Sequence, residues 1–214
     1  PHKNIIDVDG KPLIQYTIEV AKQLKNNNKI KNLVVSTDCK EVADISERLG
    51  VKVPFLRPRN ISGDKAKSVD YVIHAVNFFE KKNIKYEAVI VLQPTSPLKT
   101  YDDIVGAIDI FNKSQNDSLI SAYKEETINN LIMYYKHNDE AIPFSKDHNQ
   151  GLRRQDHGAV YVRNGAIYIV NIDYIKKRQR MISDVPSMYE MSKNNSINID
   201  SYEDLEYVRN LLCK

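Results

Sequence analysis

Two hydrophobic rhythms alternate along this chain. Short apolar runs recur at 33–36, 51–56, 88–91, 119–122 and 166–170. Their lengths are those of strands buried within a sheet. Between them, apolar residues return every three or four positions: Leu13, Tyr16, Val20 and Leu24; Val69, Val72, Ile73 and Val76; Ile104, Ala107, Ile108 and Phe111. That spacing puts them on one side of a helix. Pro12 opens the first helix and the asparagines at 26–28 end it. A second helix spans about 40–49 and stops at Gly50. A third starts at Ser68. A fourth is capped by Thr100 with Asp103 three residues on, and the last covers 202–212. Strands and helices in alternation predict an α/β fold, a mostly parallel sheet with helices on both faces.

The rhythm breaks after Lys124. Residues 128–160 carry aromatic and charged segments around Tyr134, Tyr135, Phe144 and Gly151 with little helical period. They read as an inserted excursion of short strands. The domain division that follows is an α/β domain from 1–127 and 161–214, interrupted by a small lobe at 128–160.

Composition narrows the function classes. The chain has 214 residues, 42% of them hydrophobic, enough for one substantial core. Its net charge of +3 comes from scattered residues, so no basic stripe marks a nucleic-acid surface. No apolar run reaches the ~20 residues that a membrane span needs. Cys39 and Cys213 lie far apart, without metal-type spacing, which fits a reducing cytoplasm.

Polar clusters follow the expected strands. Ser36, Thr37 and Asp38 follow one; Arg57 and Pro58, then Ser62 and Asp64, follow another. Gln93, Pro94, Thr95, Ser96 and Pro97 follow the 88–91 run. In an open α/β sheet, ligands bind at the carboxyl ends of the strands. The two prolines halt sheet pairing and stiffen the backbone that presents Gln93, Thr95 and Ser96. Lys3, Arg57, Arg153 and Arg154 suit a phosphate or a carboxylate. Asp200 suits a hard cation such as Mg²⁺, although a plain helix cap at Asp200 and Ser201 explains the same residues. His74, beside Ile73 and Ala75, reads as packing.

Taken together, these pieces resemble the cytidylyltransferases that activate sialic acids. The resemblance rests on Lys3 and Asn4 followed by Gly10, Lys11, Pro12 and Leu13. It continues through Ser36-Thr37-Asp38, Arg57-Pro58 with Ser62 and Asp64, and Leu92-Gln93-Pro94-Thr95-Ser96-Pro97-Leu98. It ends with Arg154-Gln155, Asn164-Gly165-Ala166-Ile167-Tyr168, and Asp200 ahead of an acidic helix. It implies a Rossmann-like α/β domain and a homodimer whose dimerisation lobe is 128–160. It also implies a reaction: CTP plus a nine-carbon 2-keto sugar acid gives the CMP-sugar and pyrophosphate, with Mg²⁺ as cofactor.

By the same resemblance, Lys3 contacts the triphosphate, and Asn4, Arg57 and Ser68 contact cytidine. Gln93, Arg154, Asn164 and Tyr168 surround the sugar acid. Asp200 is a metal ligand, with Asn198 beside it where the family often carries a second aspartate. Lys99 stands where arginine is frequent. The family's first strand and its glycine/arginine phosphate loop would precede Pro1, so the chain is expected to continue upstream. Two other readings remain open: a cytidylyltransferase for the eight-carbon acid of lipopolysaccharide, and a non-catalytic nucleotide-binding or dimerisation module.

Overall fold

A computed structural model of the protein describes residues 3–63, 66–151 and 158–212. Four strands form its main sheet: β3 (Ala88–Leu92), β4 (Ser118–Glu125), β7 (Val160–Asn171) and β8 (Ser187–Glu190), in the order β3-β7-β4-β8. β4 and β8 pair in parallel, whereas β7 runs antiparallel to both β3 and β4. Three of the four strands therefore share one direction.

Helices cover both faces because successive strand residues point to opposite sides. In β3, Ala88, Ile90 and Leu92 pack with Ile104, Ala107, Ile167 and Ile169, under α1 (Leu13–Asn26) and α4 (Tyr101–Lys113). Val89 and Val91 face the other way, toward Val69, Val72 and Val76 of α3 (Ser68–Glu80) and Ile175 of α5 (Ile172–Arg178). Gly106 of α4 admits the ring of Tyr189, which a Cβ there would meet at 2.5 Å.

The expected strands at 33–36 and 51–56 are reduced to two isolated parallel bridges, Val34 to Lys52 and Thr37 to Leu56. Pro54 interrupts the ladder between them, since it has no N–H to donate. They pack with α2 (Lys40–Arg48) against α1 through Ile14, Ile18, Val42 and Val51. Before them, β1 (Asp7–Val8) and β2 (Lys11–Pro12) form a hairpin. Asp9 (φ 51°) and Gly10 (φ 76°) make its two-residue turn, with both angles positive as such a tight connection requires. Tyr16 donates to the Val8 carbonyl at 2.7 Å and Arg209 to the Asp7 carbonyl at 2.6 Å. These bonds pin the hairpin to α1 and to α6 (Tyr202–Leu212).

Within 128–151 the excursion is a separate hairpin, β5 (Tyr134–His137) with β6 (Glu140–Pro143). Ile132, Met133, Tyr135, Ile142 and Phe144 stay exposed on or beside it. No helix among the described residues is long and apolar enough to cross a membrane.

Candidate functional site

Gln93 follows β3 directly, and its N–H still pairs with the Ala166 carbonyl at 3.3 Å. The chain then leaves the sheet, because Pro94 and Pro97 bring no donors. The resulting turn is held from three directions. Thr100 caps α4 by accepting from the Asp103 N–H at 3.1 Å, while Asp103 Oδ2 accepts from the Thr100 N–H at 2.8 Å. The Thr95 carbonyl accepts from the Ile199 N–H at 2.7 Å. Lys99 reaches back beneath the turn to the carbonyls of Gln93 and Ser96, at 2.7 Å each. Lys99 is only 2% exposed, and burial pushes its pKa down to about 7, against the two carbonyls and the Thr17 hydroxyl at 2.7 Å, which favour the charged form.

The Ile199 contact brings a second loop beside the first. Ser96 Oγ donates to Asn198 Oδ1 at 3.4 Å, and Asn198 Nδ2 donates to Asp200 Oδ2. The other Asp200 oxygen meets Lys3 Nζ at 3.0 Å. The cap of α6 is made without the Asp200 side chain. Asp204 Oδ2 accepts from the N–H groups of Asp200 and Ser201, at 3.0 and 2.8 Å, and Ser201 Oγ accepts from the Asp204 N–H at 3.2 Å. Those backbone donors hold the Asp204 carboxyl below its usual range. The capping explanation thus belongs to Ser201 and Asp204. The Asp200 carboxylate projects outward, 73% exposed.

On the other side of Gln93 lies a cationic corner. Gln93 Nε2 donates to Tyr71 Oη at 3.2 Å, and the Arg57 guanidinium lies 5.2 Å from the Tyr71 ring centre. Arg57 also donates to Asp38 at 2.9 Å and to Ser62 at 3.1 Å. Arg57 N–H pairs with the Thr37 carbonyl at 2.7 Å, so this corner sits at the ends of both bridged segments. Near it, Ser36 Oγ is buried with no hydrogen-bond partner, a polar atom left available. One continuous string of contacts therefore runs Lys3, Asp200, Asn198, Ser96, Gln93, Tyr71, Arg57, Asp38.

The remaining expected residues divide. Asn4 lies in the 3-10 turn Lys3–Ile5, adjacent to Lys3. Ser68 is exposed at the first turn of α3, three residues before Tyr71. Tyr168 is half-buried in β7 opposite Val91, and its hydroxyl lies near Gly165. Arg154 falls outside the described residues, as do Asp64, Arg153, Gln155 and Cys213.

Asn164, expected beside the sugar acid, does not join the string. It is 7% exposed and turned inward. Its Oδ1 accepts from Ser121 Oγ at 2.6 Å and from the Ala166 N–H at 3.1 Å. Its Nδ2 donates to Ser196 Oγ at 2.8 Å and lies 3.2 Å from Met191 Sδ. Both ends of the amide are engaged by neighbours within the protein. His74, as expected, packs: its ring lies edge-on to Phe55 at 4.6 Å. Sequence reasoning missed Tyr71 and gave Lys99 no role. The one signal for Lys99 was its place two residues after the second proline of a turn short of N–H donors.

A metal fits this donor set in one way only. Among the described residues no three His, Cys, Asp or Glu side chains gather. Mg²⁺ needs just one or two carboxylates when phosphate oxygens and waters complete its shell. Asp200, exposed and with the Asn198 amide beside it, offers that one carboxylate. As the side chains stand, the Asn198 NH2 faces Asp200 and its oxygen faces Ser96, so a metal that used both would turn the amide over.

A cationic, carboxylate-bearing rim at the strand ends of a mixed α/β sheet lies where such folds bind their ligands. The protein belongs to the cytidylyltransferase family, whose model matches residues 1–213. It is 31% identical over 209 residues to a pseudaminic acid cytidylyltransferase of Campylobacter jejuni subsp. jejuni serotype O:2, covering 98% of this chain and 88% of the relative. It is 28% identical to an N-acylneuraminate cytidylyltransferase of Escherichia coli O18:K1:H7, covering 96% of this chain and 47% of that one. Among solved structures, a CMP:2-keto-3-deoxy-manno-octonic acid synthetase complexed with CTP superposes with a TM-score of 0.70 at 17% identity. That match covers 100% of this chain and 92% of the other, a likeness of fold.

Proposed function

We propose that the protein transfers CMP from CTP to the anomeric hydroxyl of a nonulosonic acid, a sialic-acid-like nine-carbon 2-keto sugar acid, releasing pyrophosphate. The observation that carries this reading is the string from Lys3 through Asp200 and Gln93 to Arg57. It brings an exposed Lys3–Asp200 pair, the polar 93–96 turn and the Arg57 guanidinium onto one connected set of side chains, groups suited to phosphates, a sugar acid and a base. Arg57 and Ser68 hold the cytidine, and Asn4, expected with them, lies beside Lys3 at the other end of the string. Lys3 neutralises phosphate oxygens as the triphosphate enters and Asp200 gives up its ion pair. Gln93, Tyr168 and Arg154 orient the sugar acid, with Arg154 clamping its carboxylate bidentately.

The protein's work is positioning and charge neutralisation, so that the hydroxyl lies in line with the α-phosphorus. Asp200, with Asn198 beside it, would hold Mg²⁺. When bound, that ion supplies charge neutralisation on the phosphate oxygens and a lowered pKa for the attacking hydroxyl. The same reading takes the protein as a homodimer working in the cytoplasm. The exposed apolar residues of the β5–β6 hairpin support the dimer, because such patches mark interaction sites.

The test is pyrophosphate release from CTP, with and without Mg²⁺, over a panel of sugar acids. The panel takes pseudaminic, N-acetylneuraminic and legionaminic acids, with the eight-carbon octulosonic acid as the competing substrate. Release confined to the eight-carbon acid overturns the reading, and release with none of them reduces the protein to a binding module.

A further inference from the structure

The 93–99 turn has an unusual supply problem. Pro94 and Pro97 carry no N–H, so the carbonyls of the residues before them, Gln93 and Ser96, sit in a segment short of backbone donors. Ser96 is fully buried, so water does not make up the deficit. Lys99 supplies the Ser96 carbonyl and adds a second donor to the Gln93 carbonyl, which also accepts from the Ser96 N–H at 3.3 Å. Lys99 Nζ lies 2.7 Å from the Gln93 carbonyl, 2.7 Å from the Ser96 carbonyl and 2.7 Å from Thr17 Oγ1 on α1. All three partners are uncharged oxygens, one for each N–H of an ammonium.

A buried ammonium is costly unless its donors are matched. Here they are matched one for one, at the short length of charge-assisted bonds. The consequence is rigidity. Two points of the turn and one point of α1 are fastened to a common centre, on the inner side of the loop whose outer side carries Gln93. The same turn grips the neighbouring loop through Thr95 with Ile199 and through Ser96 with Asn198, which in turn holds Asp200.

We propose that Lys99 is the positioning residue of this site, fastening the 93–96 turn to α1 and thereby keeping Gln93 and Asp200 in register with each other. Lys99 touches neither substrate. It acts through the two residues that do. Thr17 is its anchor and belongs to the same device. The kinetic part of this inference rests on the cytidylyltransferase reading above, whereas the mechanical part does not.

The experiment uses the full-length protein with Lys99→Met, Thr17→Val, Gln93→Ala and the Lys99→Met/Gln93→Ala pair. Amide hydrogen exchange reads the mechanics. Lys99→Met is expected to speed exchange at Ser96 and Ile199 by about tenfold or more while the middle of α4 keeps its protection. Kinetics read the coupling. Lys99→Met is expected to lower kcat/KM for the sugar acid by about 30–100-fold alone and by a several-fold smaller factor when Gln93 is already alanine, the part carried through Asp200 remaining. Thr17→Val, nearly isosteric, gives the same pattern at about 3–10-fold and carries the test if Lys99→Met does not fold. A loss of equal size in both backgrounds means general destabilisation and overturns the inference. Unchanged exchange at Ser96 and Ile199 overturns it as well. If the wild type makes no CMP-sugar, the functional reading has failed, and the exchange result alone decides whether Lys99 fastens the turn.

Discussion

Lys3 Nζ and Asp200 Oδ1 meet at 3.0 Å across 197 positions of sequence. Both side chains are open to water, at 44% and 73% exposure. An ion pair so exposed contributes ~0–1 kcal/mol to stability. Removing it should therefore be nearly silent in the fold and costly in the reaction. Asp200→Ala is expected to cut turnover by at least about a hundredfold while shifting Tm by no more than ~2–4 °C. Its effect on CTP affinity should be far smaller than on turnover. Steady-state pyrophosphate release and a thermal melt check this, and unchanged turnover removes Asp200 from the chemistry.

Gln93 and Tyr71 test the assignment of subsites. Gln93→Ala should mainly raise KM for the sugar acid, the ligand proposed for that amide. An effect confined to CTP would mean that the two subsites are reversed. Tyr71→Phe removes the oxygen that Gln93 Nε2 donates to at 3.2 Å. It leaves the ring under Arg57 in place, so a smaller rise of about 3–10-fold in the same KM is expected, the size of one neutral hydrogen bond.

Asn164 should behave as a structural residue. Asn164→Ala strands the Ala166 N–H in a buried region, at a cost of about 1–3 kcal/mol. It also removes one partner each from Ser121 and Ser196, whose hydroxyls keep their bonds to Ile167 and Ser192. Urea denaturation should register that loss. The KM for the sugar acid should change by less than about threefold in the fraction that remains folded. A large KM change with unaltered stability would restore Asn164 as a ligand.

Glu125 should supply part of the acid sensitivity. Its carboxylate accepts from the Thr127 hydroxyl, from the Thr127 N–H at 2.7 Å and from Lys193 at 3.3 Å. These partners, the hydroxyl foremost, hold its pKa down to about 2 from 4.5. A depressed folded-state pKa means that the unfolded chain takes up the proton first. The stabilisation is therefore complete above about pH 4.5 and is lost as pH falls from there toward 2. Between pH 7 and pH 3, wild type should lose more stability than Glu125→Gln. Equal losses would show that the carboxylate is not held low.

Much of the architecture was legible along the chain, because helix spacing, strand alternation and caps are local. Thr100 and Asp103 form the capping pair that their spacing predicts, α1, α2 and α6 begin and end within a residue or two of their punctuation, and α3 begins at Ser68 as expected. α5 and β8 were not placed, since seven and four residues carry too little period to separate from a loop. The expected strands at 33–36 and 51–56 kept their positions but not a ladder, for the reason Pro54 gives. The polar residues were legible as a set and illegible in their roles. Asn164 and Gln93 are both amides near strand ends, and only the neighbours of each say which is spent inside and which is presented.

From its sequence alone this protein had its alternation of strands and helices, its inserted hairpin segment and its membership of a chemistry, because each depends on short-range periodicity or on a run of residue types. Tertiary structure decided that Ser201 and Asp204 cap the last helix and leave Asp200 free, that Lys99 sits buried under a turn, and that Lys3 finds its partner at the far end of the chain. Those outcomes depend on which donor meets which acceptor across long sequence separations, and a polar side chain's role is set by what is left unpaired once the chain has folded.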